Sequence, residues 1–205
     1  ELSNPATGPD SWAAIGSMEL AAGQKTAALD SARKALTLDA SNASAAKLAG
    51  VLVNAGVPDA ESLVTTYLGQ SKCADARVTY ARSLMNAERY SEAQAQLNEA
   101  TKLDPESADA WILKAALEAQ LKEYSEADVS LLKLDTLIDK FSSAVLQREV
   151  RIQSLMLRQQ MAEAQKKWTE ADRWSDEIAQ AGNVPLANLR KASVRMQQGQ
   201  YEAAG

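Results

Sequence analysis

The sequence predicts an all-α protein, an α-solenoid of stacked helix–turn–helix repeats. Three observations predict it: a repeat of about 34 residues, two helical apolar stripes in each copy, and an alanine-rich composition with only nine glycines and five prolines in 205 residues. Alanine loses no side-chain entropy on entering a helix, whereas glycine and proline oppose helix formation. These observations together favour helical hairpins over strands.

The clearest self-similarity joins the segments that begin at Ala74 and Ala108. Tyr90 lies 34 residues before Tyr124, and the Ser-Glu-Ala sequence after the first tyrosine recurs after the second. One helical hairpin cannot bury its apolar stripe alone, so neighbouring copies must stack. We therefore predict an N-terminal tail, residues 1–8, and an array, residues 9–205, of about five and a half repeats. The predicted copies are 9–42, 43–73, 74–107, 108–141, 142–184 and a truncated 185–205.

Local signals justify the elements of these copies in order. The second copy is short and carries a Gly-Val-Pro turn at residues 56–58, and Asp104-Pro105 ends a helix in the third. Ser91, Ser125 and Thr169 stand where the second helix of a copy begins. We expect each hydroxyl to accept a hydrogen bond from an unpaired backbone N–H.

The fifth copy departs from the period by about ten extra residues, 142–151, which contain neither glycine nor proline. Its apolar stripe continues through Leu146, Val150, Leu157 and Met161. This spacing predicts one long helix from about Ser143 to Gln165. The extension either pads the array, or provides a docking surface or a hinge between sub-arrays.

Large residues, small residues and one aromatic residue recur at the spacing of the tetratricopeptide repeat (TPR), which the chain resembles from Pro9 onward. The fourth copy shows the pattern through Trp111, Ala115, Tyr124, Ala127 and Leu131. The first copy supplies Trp12, Gly16, Ala28, Ala32 and Ala35, and the third supplies Ala81, Tyr90, Ala93, Leu97, Ala100 and Pro105. Arg77 stands at the position that Trp12 and Trp111 occupy in the first and fourth copies, and it departs from the pattern.

The resemblance implies a right-handed superhelix whose concave face is lined by the first helix of each repeat. Carried over position by position, it places these binding residues on that face: Lys47, Val51, Asn54, Asp75, Val78, Arg82, Met85, Asn86, Asp109, Ile112 and Gln120. Apolar groups mixed with hydrogen-bond donors suit an extended peptide or a helix; the alternative is that they are ordinary surface residues. The family's clamp for chaperone C-termini is not expected, because its positions hold Ala13, Ser17, Leu48, Asp75 and Thr79.

Composition argues against several other functions. The net charge of −5 and the lack of a lysine/arginine cluster disfavour nucleic acid as a partner. With no histidine, we expect no histidine-based catalytic triad and no usual zinc site, and no glycine motif indicates a phosphate or dinucleotide cofactor. The most apolar stretch, residues 45–57, is too short to cross a bilayer. Cys73 is interpreted as a half-buried loop residue. We expect no catalysis, no metal and no cofactor.

The expected function is a non-catalytic scaffold that binds a protein or peptide on its concave face. The residues are similar to bacterial TPR proteins of the cell envelope, which implies a periplasmic or membrane-associated role in assembly or secretion, with the cytoplasm as the alternative. Two rival interpretations stay open: a self-assembling homo-oligomeric array, and the interaction part of a larger multidomain protein. The first residue, Glu1, indicates either that a leader has been removed or that the chain is a piece of a longer one.

Overall fold

The computed structural model describes residues 8–182 and Met196, and every regular element in those residues is an α-helix. The helices are α1 Pro9–Ala21, α2 Lys25–Leu38, α3 Ala43–Asn54, α4 Ala60–Gln70, α5 Ala74–Asn86, α6 Tyr90–Leu103, α7 Ala108–Gln120, α8 Tyr124–Ile138, α9 Ala144–Ala164 and α10 Trp168–Ala181. The all-α prediction is confirmed. The predicted sixth copy, 185–205, lies outside the described residues apart from Met196.

The described helices fall into two compact units, which divide between residues 110 and 111. In the first unit, α1 packs against α2, α5 packs against α6, and α3 packs against α1, α2, α4 and α5. In the second unit, α9 packs against both α8 and α10. Helices begin at residues 9, 43, 74 and 108, where the sequence alignment starts its copies. The division into repeats, with one continuous array, stays a prediction.

Small residues form the centre of the helix pairs. Ala28, Ala81, Ala93 and Ala127 are fully buried, as the sequence predicts. A methyl side chain lets two helix backbones approach closely, which improves van der Waals contact along the pair. The large aromatic residues were expected to fill the gaps between helices, and this is only partly right. Trp12, Tyr90, Trp111 and Tyr124 are all half-buried, so they cover the core from its margin.

The turn inside each described helical hairpin has the same backbone geometry, which occurs five times in residues 8–182. The second residue after the first helix has a positive φ: it is Gly23, Gly56, Glu88, Lys122 or Lys166. Its amide donates to the carbonyl three residues earlier, and the next amide donates to the carbonyl five residues earlier. This pair of bonds is the Schellman motif, which satisfies carbonyls left unpaired at a helix C-terminus.

This turn corrects the prediction that Ser91, Ser125 and Thr169 cap the second helices. Those helices begin one residue earlier, and the residues before them make no side-chain cap bond. The Schellman turn leads straight into the next helix, so each hydroxyl falls inside the first turn. Side-chain caps occur instead between copies, where Asn42 accepts from the amide of Ala45 at 2.8 Å and Ser143 accepts from the amide of Leu146 at 3.3 Å.

The long helix predicted in the fifth copy is confirmed as α9. Its 21 residues, Ala144–Ala164, follow the Ser143 cap and span about 32 Å. The second half of the helix contributes the core residues Leu155 and Met161. The first turn exposes Val145 and Leu146. The extension therefore lengthens the helix at the end that is not packed into the core.

Candidate functional site

A groove of about 330 Å³ lies on the first unit along the first helices of its hairpins. We call it the first-unit groove. It is lined by residues of α3, α5 and the start of α7: Lys47, Val51, Asp75, Val78, Thr79, Arg82 and Asp109. Five of the residues predicted for the concave face, together with Asp109, are thus brought to one place. Thr79 is the one lining residue that the carried-over positions did not include.

Helical spacing places these side chains on one face. Asp75, Val78, Thr79 and Arg82 are separated by three, four and seven residues within α5, and residues at these separations are neighbours on a helix surface. The helix itself is fixed against α3 by a buried hydrogen bond, in which the Ser83 hydroxyl donates to the Gly50 carbonyl at 2.7 Å. The groove wall is therefore a packed helix rather than a loop.

Charge is distributed unevenly along the groove. Lys47 Nζ lies 2.6 Å from Asp75 Oδ2, so this ion pair joins α3 to α5 across the groove. Within residues 8–182, Arg82 and Asp109 make no ion pair or hydrogen bond through their side chains. Both are exposed. The groove thus contains one neutralised pair and two charges of opposite sign that are available to a partner.

The two valines of the groove differ in accessibility. The side chain of Val51 is 43% exposed and presents a large apolar surface in the groove. Val78 is only 6% exposed, because it packs into the core between α5 and its neighbours. Val51 therefore supplies the apolar contact surface, and Val78 contributes mainly to the floor and to stability.

Three more predicted residues, Asn54, Met85 and Asn86, lie beyond the groove lining but on the same helices. The Asn86 amide donates to the amide oxygen of Asn54 at 2.6 Å and links the exposed ends of α3 and α5. Met85 is half-buried beside it. Ile112, which is half-buried, and Gln120, which is exposed, belong to the second unit. Their participation in the same binding surface stays a prediction.

A second cleft, on the second unit, was not found by the sequence analysis. It has a volume of about 720 Å³ and lies among α8, α9 and α10. Arg158 joins two of its walls, with Nη2 2.7 Å from Asp135 Oδ2, and Arg173 lies 4.2 Å from the ring centroid of Trp174. Most of its charges are paired within the cleft. Arg151 and Asp139, 2.9 Å apart, form a second ion pair in its lining.

The described residues contain no cluster of three histidine, cysteine, aspartate or glutamate side chains suited to a metal ion. Between residues 8 and 182, every helix is too short or too polar to span a bilayer.

Comparison with known proteins agrees with this architecture. Residues 78–129, which include most of α5, all of α6 and α7 and the start of α8, match the family model of the tetratricopeptide repeat. No curated protein matches the chain in sequence. Among solved structures, the pilF protein of Pseudomonas aeruginosa superposes with a TM-score of 0.65 at 23% identity, covering 96% of this chain and 88% of that one.

Two further structures share the fold at lower identity. A tetratricopeptide repeat protein from Parabacteroides merdae has a TM-score of 0.67 at 15% identity, over 96% of this chain and 75% of that one. A thermophilic TPR protein of Thermus thermophilus has a TM-score of 0.61 at 17% identity, over 92% of this chain and 99% of that one. The chain therefore matches the tetratricopeptide repeat at residues 78–129, and it shares the fold of solved tetratricopeptide-repeat structures over most of its length.

Proposed function

We propose that the chain is a non-catalytic scaffold that holds a peptide or protein segment in the first-unit groove. The tetratricopeptide fold supports protein–protein interaction in general terms. The observation that carries the finer proposal is the exposed side chain of Val51 in a groove that also contains Arg82 and Asp109, whose charges are unpaired in the part of the chain that the structure describes. Apolar surface flanked by a few polar groups is the usual composition of a peptide-binding groove.

The groove is suited to binding because its exposed apolar residue, Val51, is not part of the core. Leu48 and Leu52 of α3 are buried in a cluster with Ala60 of α4, whereas Val51 lies at the exposed edge of α3 and is not part of that cluster. A partner could cover Val51 without any rearrangement of this cluster. A rigid wall of this kind reduces the conformational entropy lost on binding.

The test starts from peptides selected out of a random library against the full chain. Binding of the selected peptides is then measured by fluorescence anisotropy on Val51→Glu, which places a charge on the apolar surface, and on Arg82→Glu. We expect both variants to keep the wild-type unfolding midpoint and to weaken binding at least about fivefold, which corresponds to about 1 kcal/mol.

Matched controls come from the same unit. Leu38→Glu changes another exposed apolar residue, and Lys72→Glu reverses another exposed charge; neither residue lines the groove. Both controls should bind like the wild type. Equal binding by the groove variants and the wild type would refute the groove as the site.

The bacterial envelope role belongs to the same proposal and rests on the resemblance of the repeats. Its test is fractionation of cells that express the native gene, with the protein expected in the periplasmic or membrane fraction. Self-assembly is the competing interpretation of the groove. Light scattering on the wild type and on Val51→Glu separates the two, because a self-assembling array would lose mass on substitution, whereas a peptide-binding monomer would keep its mass.

A further inference from the structure

The charges that are left unpaired in the groove indicate the chemistry of its ligand, and this inference rests on the proposed function. Asp75 and Asp109 are the second residues of α5 and α7. Carboxylates at a helix N-terminus interact favourably with the helix dipole, so their positions have a structural explanation. Arg82 lies in the middle of α5, makes no ion pair in the described part of the chain, and has no such explanation.

Two of the charged side chains that line the groove are left available to a ligand. Asp75 is neutralised by Lys47, so Asp109 is the remaining carboxylate and Arg82 is the remaining cation of the lining. The exposed Val51 lies in the same lining. The groove therefore offers one negative charge, one positive charge and one exposed apolar side chain.

The groove has a volume of about 330 Å³, which accommodates the side chains of an extended segment. In an extended chain, residues two and four apart point to the same side and are about 7 and 13 Å apart.

We propose that the first-unit groove binds an internal, extended peptide segment that carries an acidic residue and a basic residue two or four positions apart. The acidic side chain pairs with Arg82, the basic side chain pairs with Asp109, and an apolar side chain near them contacts Val51. Recognition uses side-chain charges of opposite sign, so a free chain terminus is not required.

The test is a charge-swap selection. A phage-displayed library of random peptides is selected separately against the full wild-type chain, Arg82→Glu, and Asp109→Lys, and the enriched sequences are compared. The wild type should enrich an acidic and a basic residue at the stated spacing. Arg82→Glu should replace the acidic residue by a basic one, and Asp109→Lys should replace the basic residue by an acidic one.

A synthetic consensus peptide then gives the magnitude. Arg82→Glu should weaken its binding about five- to tenfold, and exchange of the peptide's acidic residue for lysine should restore most of the loss. Asp109→Asn is the conservative variant, because it removes the charge with little change in shape, and it should abolish the basic preference without inverting it. Lys72→Glu should leave every preference unchanged.

The outcomes separate this inference from the proposed function. Peptides whose binding is lost in Val51→Glu but which show no charge preference would overturn the inference and leave the groove as a binding site. Peptides that bind equally to Val51→Glu would overturn both. Mass that doubles in the wild type and not in Val51→Glu would identify a second copy of the chain as the occupant, and would overturn the peptide ligand.

Discussion

Single residues set the turns of this protein, and three of them do so against their own conformational preference. Glu88, Lys122 and Lys166 adopt positive φ at the position that Gly23 and Gly56 occupy in the first two hairpins. A side chain in this region costs about 1–2 kcal/mol because Cβ approaches the following carbonyl. The two hydrogen bonds of the turn offset this cost. The turn therefore keeps its geometry in the three hairpins that have no glycine at this position.

Substitution at these turns tests that explanation. Glu88→Gly should stabilise the chain by about 0.5–1 kcal/mol, since relief of the backbone strain exceeds the added entropy of glycine in the unfolded chain. Gly23→Ala should destabilise it by about 1–2 kcal/mol; a Cβ there has nothing within 4 Å, so the cost is conformational. Chemical denaturation measures both. Glu88→Ala keeps Cβ and should change the free energy of unfolding little. If it stabilised the chain as much as Glu88→Gly does, this explanation would be wrong.

A second residue-scale prediction concerns pH. Tyr80 donates to Glu61 Oε1 at 2.6 Å and Arg89 lies 2.7 Å from the same atom. The tyrosine hydrogen bond, and then the arginine, lower the pKa of Glu61 below its ordinary value. Because the folded-state pKa is depressed, this contribution is present above the unfolded-state pKa and is lost as pH falls through the folded-state value.

The pH dependence of stability should therefore lose part of its acid slope in Glu61→Gln. Thermal melts of the variant and the wild type should differ near neutral pH and converge toward low pH, where the wild-type carboxylate is protonated. Glu99→Gln is a control, since Glu99 makes only a 3.7 Å contact with Lys102 at the surface. A constant difference between Glu61→Gln and wild type at all pH values would show that the ionised form is not the stabilising one.

At the scale of helical elements, tertiary contacts explain a departure from the repeat pattern. Arg77 replaces the usual large apolar residue, and its guanidinium donates to the Leu68 carbonyl at 2.7 Å and to the Gln96 side chain at 2.8 Å. Leu68 lies in the last turn of α4, where backbone carbonyls lack helical partners. The arginine therefore joins α4, α5 and α6 by hydrogen bonds where an apolar residue would join them by packing.

Two glycines test how closely the helices approach. A Cβ on Gly16 of α1 would lie 2.5 Å from Leu48 Cδ2 and 3.2 Å from the Ala28 carbonyl oxygen. Gly16→Val should therefore destabilise the chain by about 1–3 kcal/mol. Gly69, within α4, has open space around it, and Gly69→Ala should stabilise by about 0.5–1 kcal/mol through helix propensity. Urea unfolding of both variants is the measurement; a stabilising Gly16→Val would contradict the observed packing.

At the scale of the whole molecule, the same helices carry buried residues that stabilise the fold and exposed residues that are accessible to a partner. Leu52 is fully buried, and the preceding residue, Val51, is exposed in the groove. Leu52→Ala should cost about 2–5 kcal/mol by leaving a cavity. Val51→Glu should change stability by less than about 0.5 kcal/mol. Differential scanning calorimetry compares the two; similar losses would mean that the groove is part of the core.

Local patterns in the amino-acid sequence were sufficient to predict the class of fold, the helical hairpins and the long α9. These features follow from the spacing of apolar residues and from the repeat period. Both are visible in the sequence because a repeat packs mainly on its neighbours. The positions carried over from the family also included Val51, Arg82 and Asp109, which the structure brings to one groove. The same positions could not distinguish the exposed Val51 from the buried Val78.

Which groups on that face are free depends on contacts between helices. Lys47 and Asp75 are 28 residues apart in the chain and neutralise each other across two helices, whereas Arg82 does not find such a partner in the described residues. In the structure, the second helices begin one residue earlier than predicted. The backbone hydrogen bonds of the Schellman turn, rather than the serine and threonine hydroxyls, determine where they begin. Ion pairs and burial depend on distances between separate helices, and these distances are not encoded in the periodicity of any one of them.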